Sequence, residues 1–168
     1  MKTSLASSRL NKELRNYMKK TNKDEIDLYL RDENDIYKWQ AKIKGPPDTP
    51  FESGIFYVNI TVPDNYPISP PECKFITKIF HPNVDFNSGD ICLELFKDKW
   101  SPQWSLESVC IAIIDLIANP NADSPLNCDS GNLIRNNDID GYNSMARMYT
   151  VEYATDFKSK TKKSSKLK

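Results

Sequence analysis

Prolines cut the first half of the chain into runs too short for long helices and about the length of strands. Gly45-Pro46-Pro47, Pro63-Asp64-Asn65-Tyr66-Pro67 and Pro70-Pro71 cannot continue a hydrogen-bonded ladder, so they mark connections. Between them lie the apolar or aromatic runs Ile26 to Leu30, Ile36 to Ile43, Ile55 to Val62 and Cys73 to Thr77. The second alternates, with Tyr37, Trp39, Ala41 and Ile43 on one face and Lys38, Gln40, Lys42 and Lys44 on the other. Period two means a sheet with one wet side, and four short strands in sequence predict an antiparallel meander. Upstream, Ser4 to Lys20 carries Leu10, Leu14, Tyr17 and Met18 at helical spacing beneath a basic outer face. Downstream, Ser105 caps a helix with Ser108 at the capping-box position and Val109, Ile113, Leu116 and Ile117 as its apolar stripe, ending before Pro120. A loop at Asn119 to Pro125, a short helix near Leu126 to Arg135, and a last helix capped by Asp138 and reaching about Ala154 complete the pattern. The fold class is α+β: an N-terminal helix, a four-stranded antiparallel meander sheet, an active-site loop, then three helices.

A chain of 168 residues buries roughly 70% of its unfolded surface, so it needs neither metal nor disulfides to hold a core. Cys73, Cys92, Cys110 and Cys128 lie 18 or 19 residues apart, without a CxxC pair, and His81 is the sole histidine, so no metal site is expected. No apolar run approaches the roughly 20 residues of a membrane span, and the N-terminus lacks a secretory core, which points to a cytosolic chain with reduced thiols. The zero net charge conceals an asymmetry. Residues 1–23 hold seven basic residues and one acid, Glu13; residues 158–168 hold six lysines and no acid; residues 24–157 carry ten basic and 22 acidic residues, net −12. Such a body does not suit nucleic acid, which needs a cationic face. The expected organisation is a catalytic domain at 1–157 and a basic, solvated, disordered tail at 158–168.

From Pro71 to Trp104 a strand is followed by a long, irregular stretch, and long loops inside compact domains are usually functional. His81-Pro82-Asn83, then Gly89-Asp90-Ile91-Cys92-Leu93 and Trp100-Ser101-Pro102, combine a possible nucleophile, an amide and a histidine. Two chemistries fit these residue types. A Cys-His-Asn hydrolase needs the imidazole within reach of the sulfur. Thioester acyl transfer needs a thiol, an amide donor for the oxyanion, and no strong base to waste the thioester by hydrolysis. His81 stands before a proline, which restricts it to extended conformations and suits a turn-fixing part. Trp39, Trp100 and Trp104 read as packing residues, and Cys73, Cys110 and Cys128 as inert packing thiols.

This constellation resembles the active-site signature of the ubiquitin-conjugating enzymes. The match extends over Tyr66-Pro67-x-x-Pro70-Pro71, His81-Pro82-Asn83, Cys92-Leu93, Trp100-Ser101-Pro102, Asn119-Pro120 and Ser124-Pro125-Leu126, covering roughly residues 5 to 155. The resemblance implies that Cys92 accepts ubiquitin's C-terminal carbonyl from the activating enzyme and yields it to a nucleophile on a substrate. It implies that Asn83 stabilises the oxyanion or holds the active loop, that His81, Pro82 and Asp123 are structural, and that Ile68 and Pro102 meet a RING-type ligase. It implies no cofactor. Two departures stand out. Eight residues separate Asn83 from Cys92 where the common family pattern has seven, and Ser124 occupies the loop position where many members carry Asp, with Asp123 beside it. Ser124 can align an incoming amine or begin a turn before Pro125. Asp123-Ser124-Pro125-Leu126, Gly131-Asn132-Leu133-Ile134-Arg135 and Tyr142 resemble the peroxisomal branch, which ubiquitinates recycling import receptors at the membrane's cytosolic face. That likeness implies a membrane-anchored peroxisomal recruiting partner and an acceptor that is lysine or cysteine, a thiol needing less deprotonation help than an amine. A silent ubiquitin-binding variant and a cysteine hydrolase are the alternatives.

Overall fold

The computed structural model describes residues 4–91 and 99–155. Its order is α1 (Leu5–Met18), β1 (Ile26–Leu30), β2 (Lys38–Lys44), β3 (Ile55–Thr61), β4 (Glu72–Phe75), α2 (Leu106–Ala118), α3 (Cys128–Arg135) and α4 (Ile139–Tyr153). The sheet is the expected antiparallel meander, β1-β2-β3-β4. Register explains the core. Leu28 pairs with Ala41, Ala41 with Val58 and Val58 with Phe75, while Ile43 pairs with Phe56 and Ile60 with Cys73, so each strand turns its apolar set to one face. Buried Trp39, Phe56, Ile60 and Val58 on that face join Val109, Cys110, Ile113 and Ile117 of α2 in one core.

Strand ends differ from the sequence reading by one or two residues. β2 begins at Lys38 because the Asp35 carbonyl ties down the Lys38 amide in a turn. β4 stops at Phe75 because the Ile76 and Thr77 amides both turn onto the Tyr57 carbonyl while Thr77 Oγ1 takes the Tyr57 amide. The helix caps follow the sequence. Ser4 Oγ accepts from the Ser7 amide, and Ser105 and Ser108 form a reciprocal capping box. The short helix starts at Cys128, later than Leu126, with Asn127 as its cap.

Two linkages tie the helices to the rest of the fold. The Ala154 carbonyl at the end of α4 accepts the Ile55 amide at 2.7 Å, pinning the last helix to the start of β3. Near the other end of the sheet, Glu13 of α1 accepts from Arg9 Nε, Tyr66 Oη and the Leu106 amide, at 2.7, 2.7 and 2.8 Å. That one carboxylate ties α1 to the Tyr66–Pro71 loop and to the first turn of α2. Burial and this bond push the Tyr66 hydroxyl pKa well up.

Candidate active site

The triplet His81-Pro82-Asn83 is buried, and each of its residues holds something different. His81 Nδ1 accepts the Asn83 amide at 3.1 Å, and its carbonyl accepts the Val84 amide, so the imidazole fixes its own turn. With 0% of its surface exposed and its ring against Phe51, His81 is pushed down to about 4 by burial, an effect the adjoining backbone of Leu116 and Ile117 only partly offsets. The Pro82 carbonyl accepts two amides, Leu126 at 2.8 Å and Asn127 at 3.1 Å. The Asn83 side chain makes a reciprocal pair with the Asn121 backbone: Nδ2 donates to its carbonyl at 2.7 Å, and Oδ1 accepts its amide at 2.8 Å. The triplet therefore clamps the whole segment from Asn121 to Asn127.

The residues after Asn83 are not irregular. Val84 pairs with Ile91 as an antiparallel bridge, and the Asp85 amide bonds the Asp90 carbonyl, closing a small hairpin. Asp85 Oδ1 accepts the Asn87 and Ser88 amides, its carboxyl held below the usual range by Ser88, and its carbonyl takes the Gly89 amide. Gly89 has φ +77°, and a Cβ there would overlap the Phe75 carbonyl. Its own carbonyl accepts the Phe75 amide at 2.8 Å, and Lys74 bridges to Asp90, which docks the hairpin on the outer edge of β4. The turn at Asp85 to Gly89 joins Val84 and Ile91, which stand opposite one another. Cys92 is the next residue in sequence and lies outside the described residues.

Asp123 and Ser124 are exposed on the clamped loop, where Asn121 Oδ1 accepts the Asp123 amide in an Asx turn. Asn83, Asp123 and Ser124 are thus brought to one locality. Ile68 and Pro102 lie elsewhere but beside one another. Trp100 Nε1 donates to the Pro67 and Ile68 carbonyls, and Arg9 donates to the Pro102 and Trp104 carbonyls, so the two loops are joined next to α1. Both residues are exposed.

The other thiols divide. Cys73 and Cys110 are buried, and burial pushes Cys73 up to about 12 and Cys110 well above its ordinary value. Cys128 is exposed, which corrects its reading as a packing thiol: it opens α3, whose buried face is Ser130 and Gly131. Two working groups escaped the sequence reading. Asn121 meets Asn83 through its backbone, which no side-chain pattern signals. Glu13 was signalled, being the lone acid of the first 23 residues and four residues after Arg9.

Comparison with known proteins agrees with this geometry. A family model described as ubiquitin-conjugating enzyme matches residues 9–150. Ubiquitin-conjugating enzyme E2 pex4 of Dictyostelium discoideum is 60% identical over 130 residues, covering 77% of this chain and 87% of the relative. Protein PEROXIN-4 of Arabidopsis thaliana is 52% identical over 143 residues, covering 85% and 91%. Among solved structures, the H. polymorpha ubiquitin-conjugating enzyme Pex4p, in complex with the soluble domain of Pex22p, superposes with a TM-score of 0.85 at 34% identity, covering 91% of this chain and all of that one. Hairpin, clamped loop, sheet and helices, together with these matches, place the chain in the ubiquitin-conjugating enzyme family, as a ubiquitin transferase most like its peroxin-4 branch.

Proposed function

We propose that Cys92 carries ubiquitin as a thioester received from the activating enzyme and passes it, with a ligase, to a peroxisomal import receptor. The observation that carries this reading is the coupling of two segments. The Val84–Ile91 bridge ends one residue before Cys92, and Asn83, next to the bridge, grips the loop bearing Asp123 and Ser124. In the transfer step, a nucleophile attacks the thioester carbonyl, the C–S bond breaks, and the sulfur leaves as thiolate. The Asn83 amide nitrogen has two hydrogens; one is committed to Asn121, and the other suits the developing oxyanion. Ser124, with a short neutral hydroxyl, aligns the acceptor without supplying a base, and the Asp123 amide, bonded to Asn121 Oδ1, holds the turn before it.

His81 argues against hydrolysis. A general base must take up the thiol proton near neutral pH, and a fully buried imidazole whose Nδ1 accepts a backbone amide, and whose burial disfavours the protonated form, is ill suited to that task. The names of the relatives support the peroxisomal substrate, and the H. polymorpha complex supports recruitment to the cytosolic face of the peroxisome by a partner of that kind. Among the described residues, no helix is long and apolar enough to cross a membrane. The test is incubation with ubiquitin, activating enzyme and ATP. A thiol-sensitive adduct forms on the native chain and on Cys73→Ala, Cys110→Ala and Cys128→Ala, and is lost in folded Cys92→Ala. A reducible adduct on Cys92→Ala would overturn the assignment.

A further inference from the structure

A cleft of about 320 Å³ opens between the hairpin turn and the start of α3. Asp85 and Asp129 line it with Phe80, Phe86, Tyr149 and Cys128, and no cation is among its lining residues. The rings form a continuous cluster: Tyr149 stacks on Phe80 at 5.5 Å and on Tyr153 at 6.0 Å between centroids, and Phe86 meets Tyr149 and Tyr153 edge-on at 5.0 and 6.2 Å. Lys78 already sits over Phe86 and Tyr153, at 4.7 and 5.9 Å, which shows that this cluster accepts an ammonium group. Carboxylates beside aromatic faces suit a lysine side chain, whose stem packs on rings while its head meets an acid.

We propose that the chain's own lysine-rich tail, residues 156–168, docks in this cleft. Three observations name that occupant. The tail holds six lysines and one acid, Asp156, against net −11 over residues 24–155. It begins three residues after Tyr153, the end of α4 and one ring from the wall of the cleft, and the bond between Ala154 and Ile55 fixes that departure point. Its reach is ample, since Lys158 to Lys163 lie three to eight residues past Thr155, up to about 10 to 28 Å of extended chain. Contacts of only millimolar affinity suffice here, because a short tether holds the lysines at an effective concentration on the order of millimolar.

The consequence rests on the conjugating-enzyme reading. Leu126 and Asn127, which line the same cleft, follow Ser124 on the loop held by Pro82, so a docked tail crowds the approach of a lysine acceptor. The tail is then a tethered competitor of the acceptor. Occupancy near one half, as millimolar tethering and millimolar affinity imply, restrains discharge about twofold.

The docking is tested without ubiquitin. Amide NMR spectra of the full chain are compared with those of a full-length variant in which Lys158, Lys160, Lys162, Lys163, Lys166 and Lys168 are all replaced by serine. In 20 mM salt, the Asn87, Cys128 and Asp129 amides are expected at different positions in the two proteins, and to coincide in 500 mM salt. A synthetic peptide of residues 157–168 added to the serine variant is expected to move the same resonances toward their native positions. Superimposable spectra at low salt, or changes confined to another face, would overturn the docking. Discharge of the loaded thioester onto free lysine is the second arm, expected to be about twofold faster in the serine variant at low salt. Docking without that acceleration would overturn the competition. Failure to load at all would tell against the thioester reading, and the NMR result would stand apart from it.

Discussion

His81 is fully buried and spends its Nδ1 on the turn it belongs to. Its burial holds the imidazole neutral, with a pKa pushed down to about 4 against 6.5 in an unfolded chain. A depressed basic group contributes stability that is present above pH 6.5 and is lost as pH falls toward 4, because only the unfolded chain takes up the proton in that window. The full loss is about 3 kcal/mol for a shift of this size. Asp35, Asp85 and Asp90, all held low by hydrogen bonds, act in a different window, since their contribution is lost only below about pH 4. Urea unfolding between pH 7.5 and 4.5 therefore isolates the histidine. His81→Asn, which retains an acceptor for the Asn83 amide, is expected to flatten that dependence by most of the 3 kcal/mol or so. An unchanged slope would assign the effect to another group. His81 was legible in the sequence as a turn-fixing residue because it precedes a proline, whereas its burial under α2 depends on long-range packing that no local pattern records.

At the scale of elements, the four strands could be read because proline punctuation and period-two alternation agree, and agreement between local signals is what makes a segment predictable. The hairpin between Asn83 and Cys92 could not. Its pairing is a single bridge at Val84 and Ile91, too short for any periodicity, and the contact that seats it belongs to the edge of β4. Its turn did leave a trace in Asp85, Ser88 and Gly89, a carboxylate that accepts the amides two and three residues on, and a glycine able to take positive φ. Cys128 was misread for a related reason: α3 is short and packs through small residues, with Gly131 set against Pro125, so its first residue stays outside. The hairpin yields a test of its own. Gly89→Ala must adopt a left-handed conformation and push Phe75 away, which is expected to lower stability by about 2 to 3 kcal/mol. If the hairpin sets the position of Cys92, loading by the activating enzyme should also slow by about tenfold or more under conditions where the variant remains folded, a misplacement effect. Normal loading of folded Gly89→Ala would show that the thiol is placed by something else.

For the molecule as a whole, the site and the paired loops are separate regions of one chain, joined by the sheet, by α2 and by the covalent path from Ile91 to Trp100. The loops are tied down by side-chain hydrogen bonds of Arg9, Trp100 and Glu13. The indole of Trp100 hydrogen-bonds the loop bearing Ile68, its ring meets Tyr66 at 5.9 Å and Trp104 at 6.1 Å, and the Glu13 carboxylate locks Tyr66 to α1 and α2. On this braced platform Ile68 stands 71% exposed, an apolar side chain with nothing to do for the fold. Preorganised loops carrying an exposed apolar anchor suit a protein partner, since little order remains to be imposed on binding. If that partner is the ligase, Ile68→Ala should leave the unfolding midpoint within about 0.5 kcal/mol of the native value, as exposed substitutions do. Ligase-free discharge onto free lysine should also be unchanged, because the His81–Asn83 clamp is untouched. Ligase-stimulated discharge should fall by about thirtyfold if the residue is an anchor worth about 2 kcal/mol. Trp100→Ala makes the contrast, removing the brace as well, and should lower both ligase response and stability. A folded Ile68→Ala protein that responds to its ligase like the native chain would remove these loops from the docking surface.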